Sequence, residues 1–229
     1  MGNVKCYIFL LNTHGHHWAT TLTDLLEVLN LPPLLHVANV DDFPKNNTEL
    51  NFLPWDDFPQ NGETPVAFLV SAEAHLAEQM HTLFRFHQRY GLDVLRSISV
   101  LDAPFFENIH SNLCDAMAHF ADLLLIDESE VSSKNVVQAL IDQCKKKKCY
   151  PLTIQRLSKH KIGDLSGLFD PQPRRMALIF DDLDPIDFID EEQVDQAPFT
   201  IPSLDQRDPY LQQNKQGHYV NRIESLERV

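Results

Sequence analysis

The densest group of chemically capable side chains lies near the amino terminus, where His14, His16 and His17 fall within four residues and Thr20 and Thr21 follow. Three imidazoles so close together could ligate Zn²⁺ or Ni²⁺, borderline metals that accept nitrogen donors. The plainer alternative is a solvated polar loop whose rings titrate near their ordinary value and hold nothing. Spacing fixes no coordination geometry, so both readings stay open. The two hydroxyls point to a different chemistry. A strand, a loop and a helix opening on Thr-Thr is the layout of the phosphate-binding loop G-x-x-x-x-G-K-[ST], whose backbone N–H groups wrap a phosphate while its lysine neutralises it. Here Trp18 stands at the second Gly and Ala19 at the Lys, and Gly15, Thr20 and Thr21 survive as candidate cofactor contacts. A Trp in place of that Gly blocks the close approach of backbone to phosphate, and without the lysine the β/γ-phosphate charge lacks its cation.

Other groups are less specific. Cys144 and Cys149 bracket Lys145–Lys148. They could bind metal or form a redox pair, but a helix end before a strand is also ordinary packing. The lysines could meet an acidic partner or the chain's own acidic region, or simply be solvated. Asp127, Glu128 and Glu130 could hold a hard cation, yet no Gly-centred calcium-loop spacing surrounds them. No G-x-S-x-G elbow is present, so nucleophilic hydrolase chemistry has no support.

Positioning these groups requires a frame, and hydrophobic periodicity supplies one. Short apolar runs predict strands at Lys5–Leu11, Leu34–Val40, Pro65–Val70, Val94–Leu101, Leu123–Ile126 and Tyr150–Gln155. Leu22, Leu25, Leu26 and Leu29 give one apolar helical face, stopped by Pro32-Pro33. Ala72–Tyr90 reads as a helix capped by Gly91, Phe105–Phe120 as another, and Ser132/Ser133 open a third through Val136, Val137, Leu140 and Ile141. Strands alternating with helices of this length mean βαβ units: an α/β fold of three layers, a parallel sheet flanked by helices. Ligands in such sheets bind at the carboxyl ends of the strands. The stretch Asp41–Glu63, with Pro44, Pro54 and Pro59, reads as a long loop.

Composition sets the outer limits. With 229 residues and 43% hydrophobic content the chain can bury a core, and no run is long enough to span a bilayer. Its 33 acidic and 19 basic residues give a net charge of -14, which argues against a nucleic-acid partner. Seven glycines are few for a protein that must cradle phosphate. Residues 1–11 carry one Lys and a short apolar run followed by polar residues, which predicts no secretory signal. With only four cysteines, that predicts reduced thiols and a cytoplasmic location. Composition shifts near Gln172. Residues 173–229 hold 6 basic and 12 acidic side chains, including the run Asp181–Glu192 (DDLDPIDFIDEE). Met176–Phe180 could be a strand, and the rest reads as a short acidic C-terminal tail that docks a partner. The expected division is therefore a domain at 1–172 and an extension at 173–229.

Four segments in register resemble a known family. Ile8–Leu11 (IFLL), a loop and Ala19–Leu26 (ATTLTDLL) resemble the phosphate-loop start of the CobW/HypB/UreG-type metallochaperone GTPases, nearest the CobW branch. Ser97–Ala103 (SISVLDA) is similar to that branch's strand ending in V-V-D-A, and Phe120–Val131 (FADLLLIDESEV) to its FADxLLLNKxDL segment. Tyr150–Asp170, ending in GDLSGLFD, resembles its next strand and turn. The resemblance covers about residues 5–170 and implies a P-loop NTPase-like domain in a metal-homeostasis setting. The departures fall on the chemistry. At the guanine-reading N-K-x-D the chain has Asp127, Glu128, Ser129 and Glu130; at E-T-T-G it has Val70, Ser71, Ala72 and Glu73; and no Cys lies between Cys6 and Cys114, where the family's C-x-C-C is expected.

If the sheet follows the family's order, the first and third strands are neighbours. Glu73 and His75 would then share a crevice with His14, His16 and His17, with Asp102 one strand further on. The expectation is a non-hydrolysing CobW-like pseudo-GTPase, acting as a binding or accessory protein in metal homeostasis or metalloenzyme assembly. Its partner would be a protein, an active paralogue or a metalloenzyme, with no nucleic acid and no membrane. Two alternatives remain: a residual GTP/ATP binder using Mg²⁺, Gly15, Thr20 and Thr21, and a Zn²⁺- or Ni²⁺-binding protein using His14, His16, His17, Glu73 and His75.

Overall fold

A computed structural model describes residues 4–11, 18–43, 49–58, 64–72, 75–102, 111–127, 138–139, 141–142, 153–158, 161–162, 180, 208–221 and 223. In chain order the elements are β1 (Val4–Leu11), α1 (Trp18–Val28), β2 (Leu34–Val37), β3 (Asn51–Pro54), β4 (Val66–Ser71), α2 (Leu76–Tyr90), β5 (Leu92–Asp102), α3 (Ser111–His119), β6 (Leu123–Asp127), β7 (Thr153–Ser158) and β8 (Lys161–Ile162). The eight strands form one sheet in the order β3-β2-β4-β1-β5-β6-β7-β8. Every neighbouring pair is parallel except β7 and β8. This is the expected α/β architecture, a largely parallel sheet with helices on both faces, and β1 and β4, the first and third of the anticipated strands, are side by side.

Alternation along the strands divides the core in two. Ile8, Leu10, Phe68, Val70, Leu124 and Ile126 face α2 and α3, which contribute Leu76, Met80, Leu83, Leu113 and Met117. Phe9, Leu11, Leu69, Leu123 and Leu125 face the other side, where α1 contributes Leu22, Leu25 and Leu26. Buried on both faces, the central strands read as continuous apolar runs, which is why sequence located them. One irregularity interrupts the pattern. The β1–β5 register steps from Cys6↔Val94 to Tyr7↔Arg96, leaving Leu95 as an extra residue. Val94 therefore lies on the α2/α3 side, while Ile98 and Val100 lie on the α1 side.

The helix ends follow local chemistry. Asn30 adopts a left-handed φ of 54°, and the N–H groups of Asn30 and Leu31 return to the carbonyls of Glu27 and Leu26 at 3.0 and 2.8 Å. That paired closure satisfies two terminal carbonyls of α1 before Pro32. Gly91, at φ 65°, ends α2 by donating to His87 O at 2.9 Å, and the chain enters β5 at the next residue.

Several expectations shift in detail. β2 stops at Val37, not Val40, because Val40–Asp42 forms a single helical turn whose preceding Asn39 accepts from Asp41 N at 3.2 Å. The supposed loop 41–63 contains β3, a four-residue edge strand, where Pro54 is tolerated at the strand end. α2 starts at Leu76 and α3 is described from Ser111. The anticipated helix after Ser133 has four described residues, all helical, and Cys144, Lys145–Lys148 and Cys149 lie outside the described residues. Of Met176–Phe180 only Phe180 is described. It is helical, not extended, and sits 2% exposed in the α2/α3-side core.

The acidic run Asp181–Glu192 lies outside the described residues, but part of the C-terminal region is integral to the core. Leu211 is buried in the α2/α3-side cluster, and Tyr210, Tyr219 and Ile223 pack against it. His119 Nε2 and Asp208 Oδ2 are 2.7 Å apart, both buried, and the Tyr210 ring lies over His119 at 4.8 Å. Among the described residues no helix is long and apolar enough to cross a membrane.

Candidate functional site

The fold singles out the carboxyl end of β1. After Leu11 the chain runs to α1 on one face, whereas the strands on either side, β4 and β5, are followed by α2 and α3 on the other. Neighbouring strands whose connections leave for opposite faces open a crevice at their ends. Its described frame is Leu11, Ser71, Ala72 and Asp102, with Asp127 one strand beyond. Leu11 pairs with Ser71, and Asp102 pairs with Asp127.

The β4 side of this crevice is held rigidly. Ala72 N donates to Leu11 O at 2.8 Å. Gln79, buried on the first turns of α2, grips the backbone of Ser71 from both sides: its Nε2 donates to Ser71 O at 2.8 Å and its Oε1 accepts from Ser71 N at 3.2 Å. One side-chain amide thus replaces two ladder hydrogen bonds where the strand leaves the sheet. Sequence reading passed over Gln79, since only its position one turn into α2 distinguishes it from a surface glutamine.

On the β1 side, Trp18 opens α1. Its ring meets Phe43 edge-on at 6.3 Å and Phe52 at 6.4 Å, and those two rings stack at 4.8 Å. The residue that stands at a phosphate-loop glycine therefore joins an aromatic cluster tying α1 to the β2–β3 edge. Ala19 follows, half-buried. Thr20 is exposed, whereas Thr21 is 1% exposed and its Oγ1 has no hydrogen-bond partner among the described residues. Thr23 Oγ1 donates to Ala19 O at 2.9 Å, an ordinary use of a helical threonine.

His75 caps α2, is exposed, and makes no side-chain capping bond. His14, Gly15, His16, His17 and Glu73 lie outside the described residues, as do Glu128, Ser129 and Glu130. Among the described residues no three His, Cys, Asp or Glu side chains converge as a metal-sized group. Asp127 ends β6 buried. Beneath it, Asp122 has a structural role that its motif did not announce: Oδ2 accepts from Ser97 N at 2.9 Å, and Ser97 Oγ donates to Phe120 O at 2.6 Å, locking α3's exit to β5.

No protein family matches the chain, and no curated protein matches it. Among solved structures it is similar to the Zn(II)-bound YjiA GTPase from E. coli, at 14% identity and a TM-score of 0.48. The match covers 74% of this chain and 62% of that one, so the chain spans less than two thirds of that structure's length.

Proposed function

We propose that this chain is a non-hydrolysing, pseudo-GTPase-like protein that acts by binding a protein partner, an active paralogue or a metalloenzyme under assembly, without nucleic acid or membrane. The observation that carries the reading is Trp18. The helix that would receive a triphosphate begins with an indole packed on Phe43 and Phe52, followed by Ala19 where a cation is required. Phosphoryl transfer depends almost entirely on positioning and on charge stabilisation by such a loop and lysine. Calorimetry with GTP and with ATP, each with Mg²⁺, tests this: no binding tighter than about 10 μM, roughly -7 kcal/mol, is expected. Tighter binding of either nucleotide, or turnover, refutes it.

One observation favours a second reading, residual nucleotide binding. Thr20, which follows Ala19 at the motif's [ST] position, is exposed at the start of α1, where an Mg²⁺-nucleotide would find a ligand. In this reading a partner supplies the missing cation. Nucleotide affinity that appears only with the partner present, and is lost in Thr20→Val, distinguishes it from the first. A third reading uses His14, His16, His17, Glu73 and His75 for Zn²⁺ or Ni²⁺. Its test is metal titration of the His14/His16/His17→Ala variant, which should lose any tight phase shown by the parent.

A further inference from the structure

We infer that Arg96, with Tyr7 opposite it, forms a binding site for a small oxyanion, a carboxylate or a phosphate, on the α1-side face of the sheet. The site lies well away from the crevice, because Arg96 precedes Asp102 by six residues of extended β5, about 20 Å. Arg96 is 8% exposed. A guanidinium carries five N–H donors, and burial of its charge is costly unless those donors are used. Among the described residues Arg96 makes a single hydrogen bond, from Nη1 to the adjacent Leu95 O at 3.3 Å, and no ion pair.

The backbone irregularity in β5 places Arg96 there. Leu95 is the extra residue of the bulge. Without it, strict alternation would turn residue 96 to the side of Cys6 and Val94, into the apolar core beneath α2 and α3. With it, Arg96 pairs with Tyr7 and shares the face of Phe9 and Ile98. Bulges re-aim side chains in this way, often beside sites.

Tyr7 supplies a second donor. It is half-buried and its hydroxyl makes no hydrogen bond among the described residues. Burial pushes the phenol's pKa up while the Arg96 charge works in the opposite direction, so the two groups sense one another. In the pair below, Lys5 is exposed opposite a half-buried Asp93. Together Lys5, Asp93, Tyr7 and Arg96 leave one net positive charge on this part of the face. The planar fork of a guanidinium fits two oxygens of a carboxylate or phosphate at once, and the phenol can donate to a third.

Thermal unfolding of the full chain tests the inference. Sodium phosphate and sodium acetate are titrated separately against sodium chloride at matched ionic strength. A rise in Tm with phosphate alone assigns a phosphate-bearing ligand; a rise with acetate, alone or with phosphate, assigns a carboxylate. In either case Arg96→Gln should weaken the apparent affinity at least about tenfold, the worth of a charge-assisted hydrogen bond. Tyr7→Phe should weaken it by a smaller factor. No rise with either anion in the parent overturns the inference, as does an equal rise in Arg96→Gln, which would reflect general salt effects. If Arg96→Gln fails to fold, unchanged anion affinity in Tyr7→Phe overturns it.

Discussion

At the scale of single residues, buried polar side chains make the sharpest predictions. His36 on β2 is 2% exposed, with Phe58 and Phe68 around its ring and Nδ1 3.3 Å from Pro54 O. Burial lowers its pKa below the ordinary value, outweighing the Pro54 bond and Asp57. A histidine that stays neutral in the folded state stabilises fully above the unfolded value of about 6.5, and that stability is lost as pH falls through 6.5 toward the folded pKa. The Tm should therefore fall between pH 7 and pH 5 more steeply than in His36→Gln, measured by calorimetric scans of both proteins. Thr21 makes the opposite case. Its hydroxyl is buried with no partner among the described residues, so Thr21→Val should leave stability unchanged or raise it by up to about 1 kcal/mol in urea unfolding. A clear loss would mean that the hydroxyl has a partner in solution.

At the scale of elements, the joints matter more than the strands. Gln79→Met removes both bonds to Ser71 while keeping the side chain's bulk, and should cost about 2–4 kcal/mol. Hydrogen exchange should quicken at the Ser71 amide first. Asn30, left-handed at the end of α1, should accept Gly with little change and lose about 1 kcal/mol as Ala. These joints also mark what sequence could and could not yield. Central strands such as Phe68–Val70 declare themselves because both faces are buried. The stop at Gly91 is legible because only glycine enters the left-handed region freely. β3 is hidden because an edge strand of four residues carries little apolar signal, and its Pro54 argues against a strand anywhere but an edge. The Leu95 bulge leaves no mark in the residue pattern; it emerges only when β1 supplies a register. The crevice is half legible: the strand order places its walls, and Thr21's burial and Trp18's packing appear only once α1 is docked.

At the scale of the whole molecule, part of the region that reads as a tail packs into the core. Few apolar residues serve there, but Phe180 and Leu211 are buried among side chains of the helices and sheet. Leu211→Ala should cost about 2–5 kcal/mol, as for a core leucine, and should expose residues 208–221 to limited proteolysis. Full stability with unchanged protease resistance would show that the segment is bound only loosely.

The contact between His119 and Asp208 spans 89 positions of chain. Closing so large a loop is slow, because its entropy must be lost before any contact made across it can compensate. On a ribosome the sheet's central strands can associate early, yet the apolar surface that Leu211 covers stays bare until residue 211 emerges. A nascent chain paused before residue 208 would present that apolar surface to chaperones, and maturation of this protein should be paced by the arrival of residues 208–211.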